Sequence, residues 1–246
     1  MRKLLLLGVA AVALTTAAPA QAGVTLTGET GVVRTPLAST LQPMSFEVAG
    51  DFVASEEILL PLRMEFGVID GLELGLNYWL SDSRNNWNQW GLNAKYVIPA
   101  ELDENLKVAA GLNYESENAD GGYNVSLIKV YGVLSYAVDT RVPILVSGGL
   151  SYEVQDGDKN NSGVRLFGSV LADVMPRLAV GAEFVFANED LDGDGADASL
   201  WFGARFKVLE SLTLQGGVLN NANLGGNDPS DFVLHVGGQY AFSLAK

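Results

Sequence analysis

The chain has 246 residues, 48% of them hydrophobic and only 18% charged, with a formal net charge of −14 and no cysteine. The absence of cysteine excludes disulfide scaffolds, thiolate metal sites, cysteine nucleophiles and a lipid-attachment cysteine, and so acidic a balance excludes a nucleic-acid partner, which needs a basic surface. Beyond the first residues no apolar run reaches the roughly 18 residues of a spanning helix, so a helical membrane protein is excluded too.

In chain order, the first element is an export signal. Arg2 and Lys3 form a positive start, Leu4 to Leu14 an apolar stretch, and Ala20-Gln21-Ala22 the small-x-small pattern of a cleavage site. Residues 1–22 therefore read as a signal peptide. Cleavage after Ala22 leaves 224 residues and a charge of −16, because Arg2 and Lys3 leave with the signal.

Residues 23–43 show no period and are expected to form either a plug or a periplasmic tail. From residue 44 to 246 the chain divides into runs of about ten residues with apolar and polar side chains alternating, the period of a strand with one apolar face. Twelve runs begin near 44, 58, 72, 89, 105, 124, 144, 163, 178, 199, 212 and 231. No stretch after the signal has helical spacing.

The connections alternate in length. Short ones fall at 69–71, 99–104, 139–143, 175–177 and 209–211. The others fall at 81–88, 116–122, 155–162, 188–198 and 220–230, rich in Asn, Asp, Gly and Ser, with a shorter one at 54–57. Short turns at one end and long polar loops at the other are the signature of a transmembrane barrel, with turns in the periplasm and loops outside.

Fourteen charges lie within the runs: Glu47, Asp51, Arg63, Glu65, Glu73, Lys95, Lys107, Lys129, Glu153, Arg165, Asp173, Glu183, Arg205 and Lys207. All share the phase opposite the apolar one, which predicts that they line a lumen. Aromatic residues of the apolar phase collect at strand ends. Phe52, Tyr78, Trp90, Tyr114, Tyr152, Phe184, Phe186, Phe202 and Phe232 stand at the loop ends, and Phe66, Tyr96, Tyr136, Phe206 and Phe242 at the turn ends. Two aromatic girdles around an apolar band mean that the apolar face meets lipid. A soluble barrel would hold these residues inside, and a secreted β-sandwich is the competing fold.

On these features residues 44–246 resemble the outer-membrane β-barrel proteins of Gram-negative bacteria, in architecture and not in a sequence motif. The resemblance implies a porin-like, antiparallel up-and-down barrel of about twelve strands. It implies location in the outer membrane, contact with its lipid and lipopolysaccharide, and delivery by the barrel assembly machinery. A monomer is expected. Such barrels commonly end on an aromatic residue, whereas here Ser243-Leu244-Ala245-Lys246 follow Phe242. A second, shorter resemblance lies in residues 27–38, where Gly28-Glu29-Thr30-Gly31 is followed by Thr35-Pro36-Leu37-Ala38. This is similar to the Gly-x-x-Gly and Thr-Pro-x-Ala pattern of barrels linked to exopolysaccharide export. It implies an accessory role in that export as an alternative function, and a tight linker would also be rich in Gly, Thr and Pro.

Seven of the fourteen strand charges are basic and seven acidic, so the excess negative charge belongs to the ends and loops. That partition predicts charges paired across the lumen and an acidic rim that concentrates cations or bridges divalent ions to lipopolysaccharide. Many inward positions are small, among them Gly75, Gly91, Gly111, Gly149, Gly203 and Gly217, which predicts an interior left incompletely filled. Trp79, Tyr131, Phe167 and Trp201 break the pattern by pointing inward, to pack the lumen, narrow a pore or stack a sugar.

Asp190, Asp192 and Asp194 followed by Gly195 place carboxylates at alternate positions as in the first half of a calcium loop, but Trp201 stands where a closing Glu is needed. Calcium is the one cofactor considered, against a solvated acidic loop. The only histidine, His235, has inward phase, whereas a lipid-hydrolysing dyad faces the bilayer, and no phosphate loop or metal-spaced histidine cluster is present. No enzyme is expected. The sequence predicts a passive channel for ions or small polar solutes, with a structural or adhesive closed barrel as the competing reading.

Overall fold

A computed structural model describes residues 23–54, 58–81, 88–119, 123–157, 161–188, 191, 198–220 and 232–244. Alternation dictates the main feature. Twelve strands form one closed antiparallel barrel: β3 (Ser45–Ala54), β4 (Ile58–Ile69), β5 (Leu72–Ser81), β6 (Asn88–Asp103), β7 (Leu106–Ala119), β8 (Tyr123–Val138), β9 (Ile144–Asp156), β10 (Asn161–Met175), β11 (Leu178–Val185), β12 (Ser199–Lys207), β13 (Leu212–Asn220) and β14 (Phe232–Ser243). Each pairs with its sequence neighbours, and β14 closes on β3 from Leu234↔Ala54 to Ser243↔Ser45. The seam continues one bond further, because the Leu244 N–H donates to the Met44 carbonyl at 2.8 Å. Closure leaves no open edge, which a membrane interior demands.

Side chains follow the predicted phases. On β5, Leu74, Leu76, Tyr78 and Leu80 are exposed on the outer face while Glu73, Asn77 and Trp79 are buried inside. The same division holds on β4, where Leu60, Leu62 and Met64 face out and Leu59, Arg63 and Glu65 face in. Aromatic residues gather where expected at the turn-end seam. Phe46 stacks on Phe66 at 4.3 Å and on Phe242 at 5.4 Å between ring centroids.

Two strand ends differ from the alternation. The 99–104 connection narrows to residues 104–105, because β6 runs to Asp103 with an irregular register between Ile98 and Asp103. Pro99, which has no N–H to give a ladder, lies in that irregular stretch. At 116–122 the β7–β8 ladder continues through Glu117↔Val125 to Ala119↔Tyr123, since backbone pairing persists where apolar alternation has stopped. Between β4 and β5 the turn matches, and Gly71 at φ +77° supplies the left-handed conformation it requires.

Residues 23–43 lie inside the barrel. A two-residue hairpin, β1 (Gly23–Val24) with β2 (Thr30–Gly31), turns through Gly28 at φ +92°, and the chain then descends to the turn end. Leu26, Val32, Val33 and Leu37 are almost wholly buried against Val53, Leu59, Trp79, Leu171, Trp201, Leu219 and Val233. A second cluster joins Ala38 to Ala109, Tyr131, Val133, Phe167 and Val185. Each large apolar side chain so placed contributes about 1.5–3 kcal/mol. Met44, at φ 57° the one non-glycine residue of positive φ among the described residues, marks where the chain leaves the interior and enters β3.

The interior is therefore filled, contrary to the expectation drawn from its small residues. Those glycines make room for large neighbours. A Cβ on Gly111 would lie 2.3 Å from the Tyr131 ring, one on Gly149 2.5 Å from Phe167, one on Gly203 2.3 Å from Trp201, and one on Gly75 2.2 Å from the Gly28 carbonyl. Composition cannot distinguish an empty position from one overlain by a neighbour's ring.

Candidate functional site

The polar wall of the barrel and the N-terminal segment form one hydrogen-bonded unit. Its densest point is Glu183 on β11. Its carboxylate accepts from the backbone N–H groups of Val33, Arg34 and Thr35 at 2.9–3.2 Å and from the Thr35 hydroxyl at 3.0 Å. On the opposite wall Glu73 accepts from the Thr30 N–H at 3.0 Å, the Thr30 hydroxyl at 2.6 Å and the Leu41 N–H at 3.1 Å, and pairs with Lys95 at 2.6 Å. Lys95 in turn donates to the Thr30 carbonyl at 2.7 Å. Arg205 donates to the Gly31 and Val32 carbonyls. Carboxylates thus hold the donors of a segment with little regular structure, and cations hold its acceptors, so buried backbone groups are paired.

Several of these contacts are made by residues 27–38. Thr30 and Thr35 supply hydroxyls, and a Cβ on Gly31 would come within 2.3 Å of the Thr35 carbonyl.

A second polar centre surrounds Asp51 on β3. It pairs with Arg63, accepts from Gln215 Nε2 at 2.7 Å, and lies 2.8 Å from His235 Nε2. Because a carboxylate only accepts, this histidine nitrogen carries the hydrogen. His235 is fully buried inside the barrel, away from the bilayer face that a lipid-hydrolysing dyad needs.

Of the fourteen strand charges, Glu47, Asp51, Arg63, Glu65, Glu73, Lys95, Glu153, Glu183 and Arg205 are buried in the interior, and Lys129, Arg165 and Asp173 are half-buried. Lys207, the last residue of β12, pairs with Glu210 at 2.7 Å, whose carboxyl that hydrogen bond holds below its ordinary range. Lys107 is a correction. It keeps the inward phase but is exposed two residues after the turn, so it stands at the rim and not in the lumen wall. The expected pairing across the lumen is also corrected. Glu73 and Lys95 are direct cross-strand partners, Arg165 pairs with Glu153 on adjacent β9 at 3.2 Å, and the remaining reach is to the N-terminal segment, which occupies the space between opposite walls.

Uncharged inward residues that no charge pattern singles out also belong to the site. Asn77 and Asn93 donate to the Thr27 carbonyl at 2.8 and 3.1 Å, Asn113 donates to Glu29 at 3.2 Å, and Ser135 accepts from the Ala38 N–H at 2.9 Å. They share the inward phase of the charges, which is the sequence signal that finds them.

At the loop end a cavity of about 280 Å³ opens above this unit. Thr27 and Arg34 line it from the N-terminal segment, with Glu115, Glu117, Lys129, Glu153 and Arg165 on the walls. Gln89 bonds Glu115 at 2.7 Å, and the Lys129 ammonium lies 5.4 Å from the Tyr131 ring centroid. Asp190, Asp192 and Asp194 lie outside the described residues, as does the signal segment.

A closed twelve-stranded antiparallel barrel, apolar outside and charged within, is an outer-membrane β-barrel protein, and its apolar band belongs in that membrane. Known structures bear out this fold. The chain is similar to the KdgM porin, at 17% identity and a TM-score of 0.56 over 80% of this chain and 99% of that one. It is similar to the NanC porin, at 15% identity and 0.58 over 79% and 98%, and to outer membrane phospholipase A from Escherichia coli, at 13% identity and 0.50 over 83% and 99%. No protein-family model and no curated protein sequence matches the chain.

Proposed function

We propose that the protein is a porin-type channel for ions or small polar solutes that its own N-terminal residues 23–43 hold closed as a resident plug, and that it is not an enzyme. The observation that carries this reading is the junction of two parts. A polar vestibule of about 280 Å³ lies at the loop end, and its floor includes Thr27 and Arg34 of a segment tied to the wall by hydrogen bonds and apolar packing. The vestibule balances Arg34, Lys129 and Arg165 against Glu115, Glu117 and Glu153. Balanced charge favours small polar solutes over long polyanions. A KdgM porin structure, similar in fold at 17% identity and a TM-score of 0.58, is described in complex with disordered oligogalacturonate. A sugar-sized polar cargo fits this chain's vestibule in size and polarity, without the one-sided positive charge that a polyuronate demands.

A permanently closed structural barrel is the second reading, favoured by the apolar cluster around Leu26, Val32, Val33 and Leu37. Planar-bilayer recordings separate the two. The mature chain is expected to be nearly silent, and Thr30→Val combined with Glu183→Ala is expected to give stable conductance steps. A doubly substituted barrel that is folded, has lost protection of residues 23–43 and still does not conduct would establish the closed barrel instead.

A further inference from the structure

We infer that the barrel interior contains a binding site for a primary ammonium, and that its occupant is the chain's own α-amino group, created when the signal peptide is removed. The inference rests on the plug reading and on the expected cleavage after Ala22. Hydrolysis of the Ala22–Gly23 peptide bond by a signal peptidase consumes one water and leaves a carboxylate on Ala22 and an α-ammonium on Gly23.

Three observations place that ammonium. First, Gly23 is buried inside the barrel, in the β1–β2 hairpin opposite Gly31. A new terminus there is not in bulk solvent. Second, Gln239 on β14 lies directly against Gly23. A Cβ on Gly23 would lie 2.1 Å from Gln239 Oε1, and this oxygen, in a residue only 5% exposed, has no hydrogen-bond partner. A buried amide oxygen without a donor costs about 1–3 kcal/mol, and an ammonium carries three donors.

Third, among the described residues seven carboxylates are buried against three buried cations, Arg63, Lys95 and Arg205, while half-buried Lys129 and Arg165 pair with Glu29 and Glu153. Gln239 pairs in register with Ala49, between the inward Glu47 and Asp51 of β3. An ammonium at Gly23 therefore adds a positive charge on the β3 side of the interior, where Glu47 and Asp51 are buried. In the unprocessed chain this nitrogen is an amide with one donor and no charge. Processing then does more than release the signal: it makes the group that latches the plug.

The experiment uses the processed protein purified from outer membranes. Acylation near neutral pH favours an α-amine (pKa about 7.7–8.0) over lysine (about 10.4), and mass mapping identifies the product. Gly23 is expected as the first residue, its amine unreactive in the folded barrel and reactive after denaturation. Gln239→Leu is expected to speed acylation at least tenfold, and Gln239→Glu, which supplies a carboxylate at the same reach, to keep the amine protected. Hydrogen exchange of residues 23–43 is followed in parallel. An amine that reacts freely while those residues stay protected overturns the latch and leaves the plug standing. Loss of protection throughout 23–43 in the unsubstituted protein overturns both, and a mature terminus other than Gly23 overturns the latch directly.

Discussion

Glu183 shows how one side chain organises a segment that has no regular structure of its own. Val33, Arg34 and Thr35 present three successive N–H groups to its carboxylate, an arrangement that resembles the anion-binding end of a helix without the helix. In Glu183→Ala these donors are left with no acceptor, at about 1–3 kcal/mol each. Amide exchange at these three positions is expected to accelerate by about a hundredfold or more, the equivalent of about 3 kcal/mol, with the barrel strands unaffected. Unchanged exchange would show that apolar packing alone seats the segment. Glu183→Gln keeps one acceptor oxygen and is expected to fall between the two. Arg63 and Asp51 pose the opposite case, a buried ion pair within the wall. Removing the cation alone leaves an uncompensated carboxylate, a loss of about 3–5 kcal/mol. Arg63→Met is therefore expected to lower the temperature at which the barrel loses its compact electrophoretic mobility, and Asp51→Asn in the same chain to restore part of the loss.

At the scale of the element, strands and interior differ in what they write into the sequence. A strand between lipid and a polar interior must alternate, so all twelve are legible, with starts within two residues of those expected. The ends of β6 and β7 are less so, because a ladder needs only backbone. The N-terminal segment is a different problem. Its backbone partners include Glu183, 150 residues from Val33 in sequence, and its apolar residues follow no period because they fit an irregular hole. Only the polarity of the inward phase hinted at a partner. Inward glycines are ambiguous for the same reason, since Gly149 reads as an empty position until Phe167 is seen lying over it. Gly149→Leu is expected to force that ring out of place and cost about 1–3 kcal/mol, as overpacking does. Thermal denaturation followed by the loss of compact mobility measures this. A Gly149→Leu barrel as heat-resistant as the parent would mean that space remains beside Phe167.

The whole molecule is polarised along the barrel axis, with an open polar vestibule at the loop end and a packed interior towards the turns. A chain with no cysteine reports this asymmetry without background, because any thiol introduced is the only one present. Gln155 lines the vestibule, Ser147 is buried at the contact with Ser135, and Arg141 is exposed on a short turn. In intact cells a membrane-impermeant thiol reagent is expected to label Gln155→Cys readily, to leave Ser147→Cys unlabelled, and to reach Arg141→Cys only after the outer membrane is permeabilised. Labelling of Arg141→Cys ahead of Gln155→Cys would invert the barrel in the membrane. Equal labelling of Ser147→Cys and Gln155→Cys would open the interior to solutes that the seated segment is positioned to exclude. Adding Thr30→Val and Glu183→Ala to Ser147→Cys joins the two questions, because a released plug must let reagent reach a thiol that the seated one conceals.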